Sequence, residues 1–186
     1  MNEKHNNFLD QLDKDFAFLL EELKVYSDDQ LNRKPSPEQW SVIQVMHHLM
    51  LSESLSLKYI NKKLSFNPTL KKAGIKARMR LLLLKGYMAS PFKAKAPGVI
   101  SGEQLPEFAT FWDTAKRWKQ QRQELRQFLS ELPKDILNKE VYKHPFAGRM
   151  SIDGMLGFFQ AHFNRHHKQI QRVLKPMIPV GGNVKV

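Results

Sequence analysis

Four long segments of the chain repeat apolar residues at steps of three and four, and this period constrains the fold more than any other feature. An α-helix turns once every 3.6 residues, so such steps gather the apolar side chains on one face. The segments span 8–23, 41–64, 106–132 and 151–175 and are separated by proline-containing or turn-forming stretches. None of them has a convincing strand pattern. The sequence therefore predicts an all-α fold, a four-helix bundle.

Polar residues and prolines mark the ends of these segments. Ser41 and Ser151 are expected N-caps, because a serine hydroxyl accepts a hydrogen bond from an orphan backbone amide at a helix start. Asn67-Pro68 is expected to end the second helix and Pro133 the third.

Residues 69–105 stand outside this pattern and are predicted to form an insertion between the second and third helices. They combine a basic helical stretch with a loop that contains prolines and glycines. We expect the apolar run Leu81–Leu84 to pack against the bundle, to cover a site or to form a homodimer contact. A length of 186 residues suits one domain, predicted over 1–176, with a flexible tail over 177–186.

Composition narrows the class of protein further. Apolar residues make up 41% and charged residues 26% of the chain, which is typical of globular domains. The chain starts with polar and charged residues, unlike a secretory signal, and no apolar run approaches the roughly 20 residues of a membrane span. We therefore expect a cytoplasmic protein without membrane insertion.

The chain has a formal net charge of +12, and much of this excess positive charge lies in the insertion. The cations there are Lys71, Lys72, Lys76, Arg78, Arg80, Lys85, Lys93 and Lys95. Clustered cations bind phosphate through counterion release, but no nucleic-acid motif accompanies them, so nucleic acid is not the expected partner. A non-catalytic bundle that binds an anionic partner through this basic surface is the alternative function.

Two histidines of the last predicted helix lie close enough to bind the same metal ion. His162 and His166 are four residues apart and therefore on one, mostly apolar, helix face. With no cysteine in the chain, a metal site must be led by imidazole. Zinc proteases carry a glutamate after the first histidine, and Phe163 excludes that class. The pair predicts a divalent metal site or, alternatively, core histidines satisfied by hydrogen bonds.

The second helix offers two histidines as a third ligand. Small serine side chains share the helix face of His48 and would leave room for an ion and water, whereas Ile43 and Met50 share that of His47. This favours His48. Spacing alone leaves open that one of the two is a core histidine and the other a surface residue.

Two short motifs surround these histidines. The first opens the second helix and consists of Trp40, Ser41, His48 and Leu49. The second contains the histidine pair and consists of His144, Pro145, Gly148, Ser151, His162, His166, Gln169 and Ile170. Both resemble segments of the DinB-like or YfiT-like superfamily, four-helix bundles regarded as metalloenzymes.

The resemblance implies a site between the second and fourth helices in which His48, His162 and His166 bind nickel, zinc or iron. Glu53 matches an acidic position of the family, and Gln169 lies one turn beyond His166, where it could orient that ring. These two are the candidate catalytic residues.

Three neutral imidazoles leave a coordination position open, as in catalytic rather than structural zinc sites. The family resemblance implies either metal-dependent hydrolysis of a small molecule or transfer that uses a low-molecular-weight thiol. Neither scheme needs a cysteine in the protein, so the sequence predicts a hydrolase or a thiol S-transferase without choosing between them.

Overall fold

The described residues of the computed structural model, 3–92 and 104–178, form six helices and one small hairpin. The helices are α1 (Glu3–Leu23), α2 (Asp28–Asn32), α3 (Val42–Leu64), α4 (Ile75–Ala89), α5 (Phe111–Glu131) and α6 (Ile152–Leu174). The four long helices α1, α3, α5 and α6 correspond to the predicted bundle. The predicted fold class is confirmed.

The bundle core is built by the apolar faces of these four helices. Helix α6 packs against α1 and α3, and α3 also packs against α5. Trp118 is fully buried in this core, whereas Trp112 is 66% exposed at the start of the same helix. The fully buried side chains include Leu12, Leu19, Ile43, Met46 and Trp118.

Helix α3 has the start and the end that its sequence predicts. The Ser41 hydroxyl accepts a hydrogen bond from the Gln44 amide at 3.2 Å, and the Gln44 side-chain oxygen accepts one from the Ser41 amide. Asn67 beyond its end has a φ of 45°, a left-handed conformation that asparagine tolerates. Ser151 caps α6 through the Gly154 amide in the same way as Ser41 caps α3.

Helix α5 begins later than predicted, at Phe111 rather than near Pro106. The residues before it are irregular and are bonded by side chains from elsewhere. Gln44 donates to the Pro106 carbonyl, and Asn32 bonds both backbone groups of Ala109. These partners replace the hydrogen bonds of a helical turn, and Thr110 then caps the helix.

A two-stranded antiparallel hairpin, absent from the prediction, precedes α6. Strand β1 (Tyr142–His144) pairs with β2 (Gly148–Met150), and Gly148 has a φ of 82° that favours glycine. Three-residue strands are too short for an alternating pattern to be recognised. The hairpin lies close to α6, because a Cβ on Gly154 would stand only 2.7 Å from the Met150 Cβ.

The insertion contains the expected helix, α4, which packs along α6. Leu84 is buried there, while Leu82 and Leu83 are 63% and 69% exposed. Packing against the bundle therefore accounts for only part of the leucine run, and the homodimer contact stays a prediction. Most of the predicted loop, 93–103, and most of the predicted tail, from 179 onwards, lie outside the described residues. The domain limits 1–176 also stay a prediction.

Among the described residues, no helix combines the length and the apolar character that crossing a membrane requires.

Candidate metal centre

Three histidines from two helices converge in the bundle interior. His48 projects from α3, and His162 and His166 project from successive turns of α6. All three are buried, and one ring nitrogen of each lies within 4.8 Å of the others. The Nε2 atoms of His48 and His162 are 3.1 Å apart. The arrangement is consistent with a metal site.

The distance between those two nitrogens allows a direct test of the fit. Zinc–nitrogen bonds of about 2.0–2.1 Å at angles between 90° and the tetrahedral value place two ligand nitrogens about 2.9–3.4 Å apart. The observed 3.1 Å lies inside that range. Imidazole is also a ligand that zinc, nickel and iron all accept. The residues therefore fit a divalent ion of this group.

Gln169 determines which nitrogen of His166 is available. Its side-chain oxygen accepts a hydrogen bond from the His166 Nδ1 at 2.8 Å. The proton of the neutral ring is thereby held on Nδ1, and the lone pair remains on Nε2. Metal-binding histidines commonly donate their other ring proton to such an acceptor.

Burial keeps the rings of His162 and His166 neutral at physiological pH. Burial and the neighbouring His48 lower the pKa of His166 to about 3. Burial, and secondarily His166 and His48, hold the pKa of His162 well below its usual range. Because a metal binds the deprotonated imidazole, neutral rings need release no proton before they coordinate an ion.

The histidines form part of the wall of a large cavity. The cavity has a volume of about 1800 Å³ and lies between α3, α4, α6 and the hairpin. Aromatic side chains make up much of its lining, including Trp40, Tyr87, Tyr142 and Phe158. The Trp40 ring contacts that of His48 at a tilt of 43° with centroids 4.8 Å apart, and the Phe158 ring stacks on His162 at 5.0 Å. These contacts restrain the rings of both histidines.

Known proteins share this architecture. A family model described as the DinB superfamily matches residues 9–170. This chain belongs to the DinB superfamily. Its resemblance to DinB-like proteins, inferred above from the two motifs, is therefore confirmed.

This DinB-superfamily chain is similar to two proteins of Bacillus subtilis, one in sequence and one in structure. The "uncharacterized protein YuaE" of Bacillus subtilis (strain 168) is 26% identical over 152 residues, which cover 82% of this chain and 88% of YuaE. The structure of YfiT from Bacillus subtilis matches with a TM-score of 0.60 at 16% identity, over 95% of this chain and 90% of YfiT. YfiT is described as "a probable metal-dependent hydrolase with an unusual four-helix bundle topology". That likeness shows that the fold is shared.

The structure shows whether His47 or His48 of α3 faces the histidine pair of α6, a choice that sequence spacing left open. His47 points towards α5, where its Nε2 lies 3.2 Å from the Thr114 hydroxyl. His48, one residue on, points towards α6 and the cluster. Adjacent helical residues are turned by about 100°, so only one of the two can face α6.

Glu53 lies away from the cavity, in a buried ion pair with α5. Arg122 donates to both of its carboxylate oxygens, at 2.8 and 2.9 Å, and the Trp118 indole nitrogen donates to one of them at 3.1 Å. The described lining of the cavity does not include Glu53. Its candidate catalytic role stays a prediction, whereas Gln169 lines the cavity and contacts His166.

Two features of this site were not predicted from the sequence: the position of His144 and a set of cations on α6. His144, named only as part of a motif, lies edge-on to Phe158 in the wall of the same cavity, and burial lowers its pKa to about 4. Its Nδ1 accepts hydrogen bonds from the Phe146 and Ala147 amides, which assigns it to the hairpin. The second group consists of cations on α6: Arg165, Lys168 and Arg172. Their steps of three and four could have indicated a shared face beside the histidines.

Proposed function

We propose that this protein is a metal-dependent enzyme that binds one divalent ion through His48, His162 and His166 and acts on a small molecule. One observation carries the proposal: three buried imidazoles, of which burial keeps those of His162 and His166 neutral, bring their nitrogens together at the wall of a large cavity. A structural zinc site would be closed by a fourth ligand, whereas three protein ligands leave a position open towards the cavity.

The residues around the cluster would prepare it for chemistry. When bound, a divalent ion lowers the pKa of a coordinated water towards about 7 and polarises carbonyl groups. Gln169 holds the His166 proton on Nδ1, and Trp40 and Phe158 restrain the other two rings. Burial raises the pKa of Tyr142 to about 12, so this hydroxyl stays protonated in the cavity wall as a hydrogen-bond donor.

Hydrolysis is the first candidate reaction, supported by the description of YfiT, which shares the fold. Transfer from a low-molecular-weight thiol is the second. It is favoured by the scarcity of acids, because Glu38 is the one carboxylate among the described residues of the lining. A water bound to the ion would still be partly protonated near pH 7 and would gain from a general base, whereas a bound thiol would be deprotonated outright.

Elemental analysis of protein prepared without a histidine tag tests the metal centre. We expect about one zinc, nickel or iron per chain, and loss of that metal in His48→Ala and His162→Ala. His47→Ala is the matched control, because the neighbouring ring contacts Thr114 and lies outside the cluster. A folded wild-type protein that takes up none of these ions would refute the proposal and leave the non-catalytic binding module.

Activity then separates the two reactions. The metal-loaded protein is assayed with activated ester and amide substrates, and with an electrophilic substrate in the presence and absence of a small thiol. Hydrolysis without thiol that is lost in His162→Ala supports the hydrolase. Turnover only with thiol supports the transferase.

A further inference from the structure

The cavity beside the three histidines is lined by an excess of positive charge. Six cationic side chains line it and come from α4, β1 and α6: Arg80, Lys85, Lys143, Arg165, Lys168 and Arg172. Glu38 is the one acidic side chain among the described lining residues. Cations from three separate elements therefore surround one concave space.

Two of these cations already have partners in the protein. Arg80 pairs with Glu140 at 3.6 Å, and Arg165 donates to carbonyl oxygens at the end of α4. The other four, Lys85, Lys143, Lys168 and Arg172, form no ion pair with a carboxylate of the described residues. Water solvates these exposed cations, so leaving them unpaired costs little free energy. They would still attract a bound anion, because no described carboxylate neutralises them.

Two of these cations lie on the same helix as two of the histidines. Arg165 lies between His162 and His166 in α6 and Arg172 follows them, and all four residues line the cavity. The field of these charges would favour an anionic group placed beside the cluster. Low-dielectric walls strengthen such an effect, because they focus the field of the surrounding charges.

The rest of the lining is largely apolar. Trp40, Leu84, Met88, Phe146 and Phe158 line the cavity together with the cations. An inorganic ion would leave these surfaces in contact with water, whereas an organic body would cover them. The ligand that matches both features has an apolar body and an anionic group.

We propose that the substrate of this cavity is a small organic anion whose charged group lies near Lys168 and Arg172 on α6. This inference rests on the proposed metal centre, because it names the substrate class of the same cavity. It differs from the alternative of a macromolecular anionic partner. Lys71, Lys72, Lys76 and Arg78 of the insertion are exposed and do not line the cavity.

Binding of a matched pair of probes tests the proposal. The affinities of 3-phenylpropanoate and its uncharged amide are measured by calorimetry with metal-loaded and with metal-free full-length protein. We expect the carboxylate to bind about tenfold more tightly in both forms, and this preference to shrink as salt is added. The preference should survive metal removal, because the cations belong to the chain.

Charge substitutions on α6 locate the anion. Arg172→Gln and Lys168→Gln should each weaken carboxylate binding by about two- to fivefold, and the double variant by about tenfold, with the amide unaffected. Lys175→Gln is the matched control, an exposed cation at the end of the same helix that does not line the cavity. The substituted side chains are exposed, and circular dichroism checks that each variant is folded.

The outcomes distinguish this inference from the metal proposal. Equal binding of the two probes, no binding of either, or equal losses in the α6 variants and the Lys175 control would overturn the anionic substrate. Carboxylate binding confined to the metal-loaded protein and insensitive to the α6 charges would do the same while leaving the metal centre intact. A charge-dependent preference in a protein that binds no metal would support the anion site and refute the metal proposal.

Discussion

Single residues of similar type have different roles in this protein because of what each side chain contacts. The Gln169 side-chain oxygen accepts a hydrogen bond from the His166 Nδ1 and thereby leaves the other ring nitrogen available at the cavity. Glu53 is more deeply buried, but its carboxylate is bonded by Arg122 and Trp118. At the scale of the residue, the hydrogen-bond partner decides which polar group belongs to the site and which joins two helices.

Replacing Glu53 tests this distinction. Glu53→Gln should destabilise the fold by about 3–5 kcal/mol, because the buried Arg122 guanidinium loses its carboxylate. Chemical denaturation measures the loss, and metal affinity of the folded variant should stay unchanged. Arg126→Gln is the control: it removes a half-exposed pair with Asp10 and Asp13 and should cost less than about 1 kcal/mol. A stable Glu53→Gln protein with weakened metal binding would place Glu53 in the site instead.

At the scale of the element, Arg165 connects the inserted helix to the bundle. Its guanidinium donates to the carbonyls of Met88, Ser90 and Phe92 at 3.1, 2.9 and 2.5 Å, at the C-terminal end of α4. The Met88 carbonyl is one of the last four of the helix, which have no partner within it and carry the negative end of its dipole, and Ser90 and Phe92 follow directly. A cation of α6 thus holds the end of a helix that forms one wall of the cavity.

Arg165→Met should loosen this end of α4 without unfolding the bundle. The hydrogen bonds lost are partly exposed and should be worth on the order of 1 kcal/mol, so amide exchange over residues 86–92 should become about fivefold faster. Hydrogen–deuterium exchange with mass spectrometry measures the change. Arg172→Met provides the control, since that cation forms no hydrogen bond with α4 among the described contacts. Equal protection in both variants would show that apolar packing alone holds α4.

At the scale of the whole molecule, burial of several neutral histidines makes stability depend on pH. Burial lowers the pKa of His144 to about 4 and, with His48, that of His166 to about 3, against 6.5 for an ordinary histidine. Between pH 6.5 and these lowered pKa values, the unfolded chain therefore binds more protons than the folded one. Their contribution to stability is present above pH 6.5 and is lost as the pH falls towards 4 and 3.

Urea denaturation of the metal-free protein at pH 7 and pH 5 measures this effect. Lowering the pH from 7 to 5 should reduce the free energy of unfolding by on the order of 2 kcal/mol for each of these two histidines. This interval lies above the usual pKa values of carboxylates, so their titration adds little to the difference. His47→Ala should leave the slope nearly unchanged, since half-burial lowers the pKa of that ring less strongly. Equal stability at the two pH values would show that the rings protonate in the folded state without cost.

The positions of the long helices follow from the sequence alone, because the period of apolar residues and the capping serines act within a few residues. The Ser41 and Ser151 caps are observed, and the four-residue spacing of His162 and His166 places both on one face of α6 before any packing is known. Local geometry also predicts a helix inside the insertion. These features need no information from distant parts of the chain.

Only tertiary structure decides which faces meet. The choice between His47 and His48, the pairing of Glu53 with Arg122, and the gathering of cations from α4, β1 and α6 all depend on how separate helices are rotated and packed. The late start of α5 has the same origin, because Gln44 and Asn32 from other segments satisfy its preceding backbone. Sequence spacing fixes a residue's angle around its own helix, whereas contacts between helices are set by the packing of the whole core.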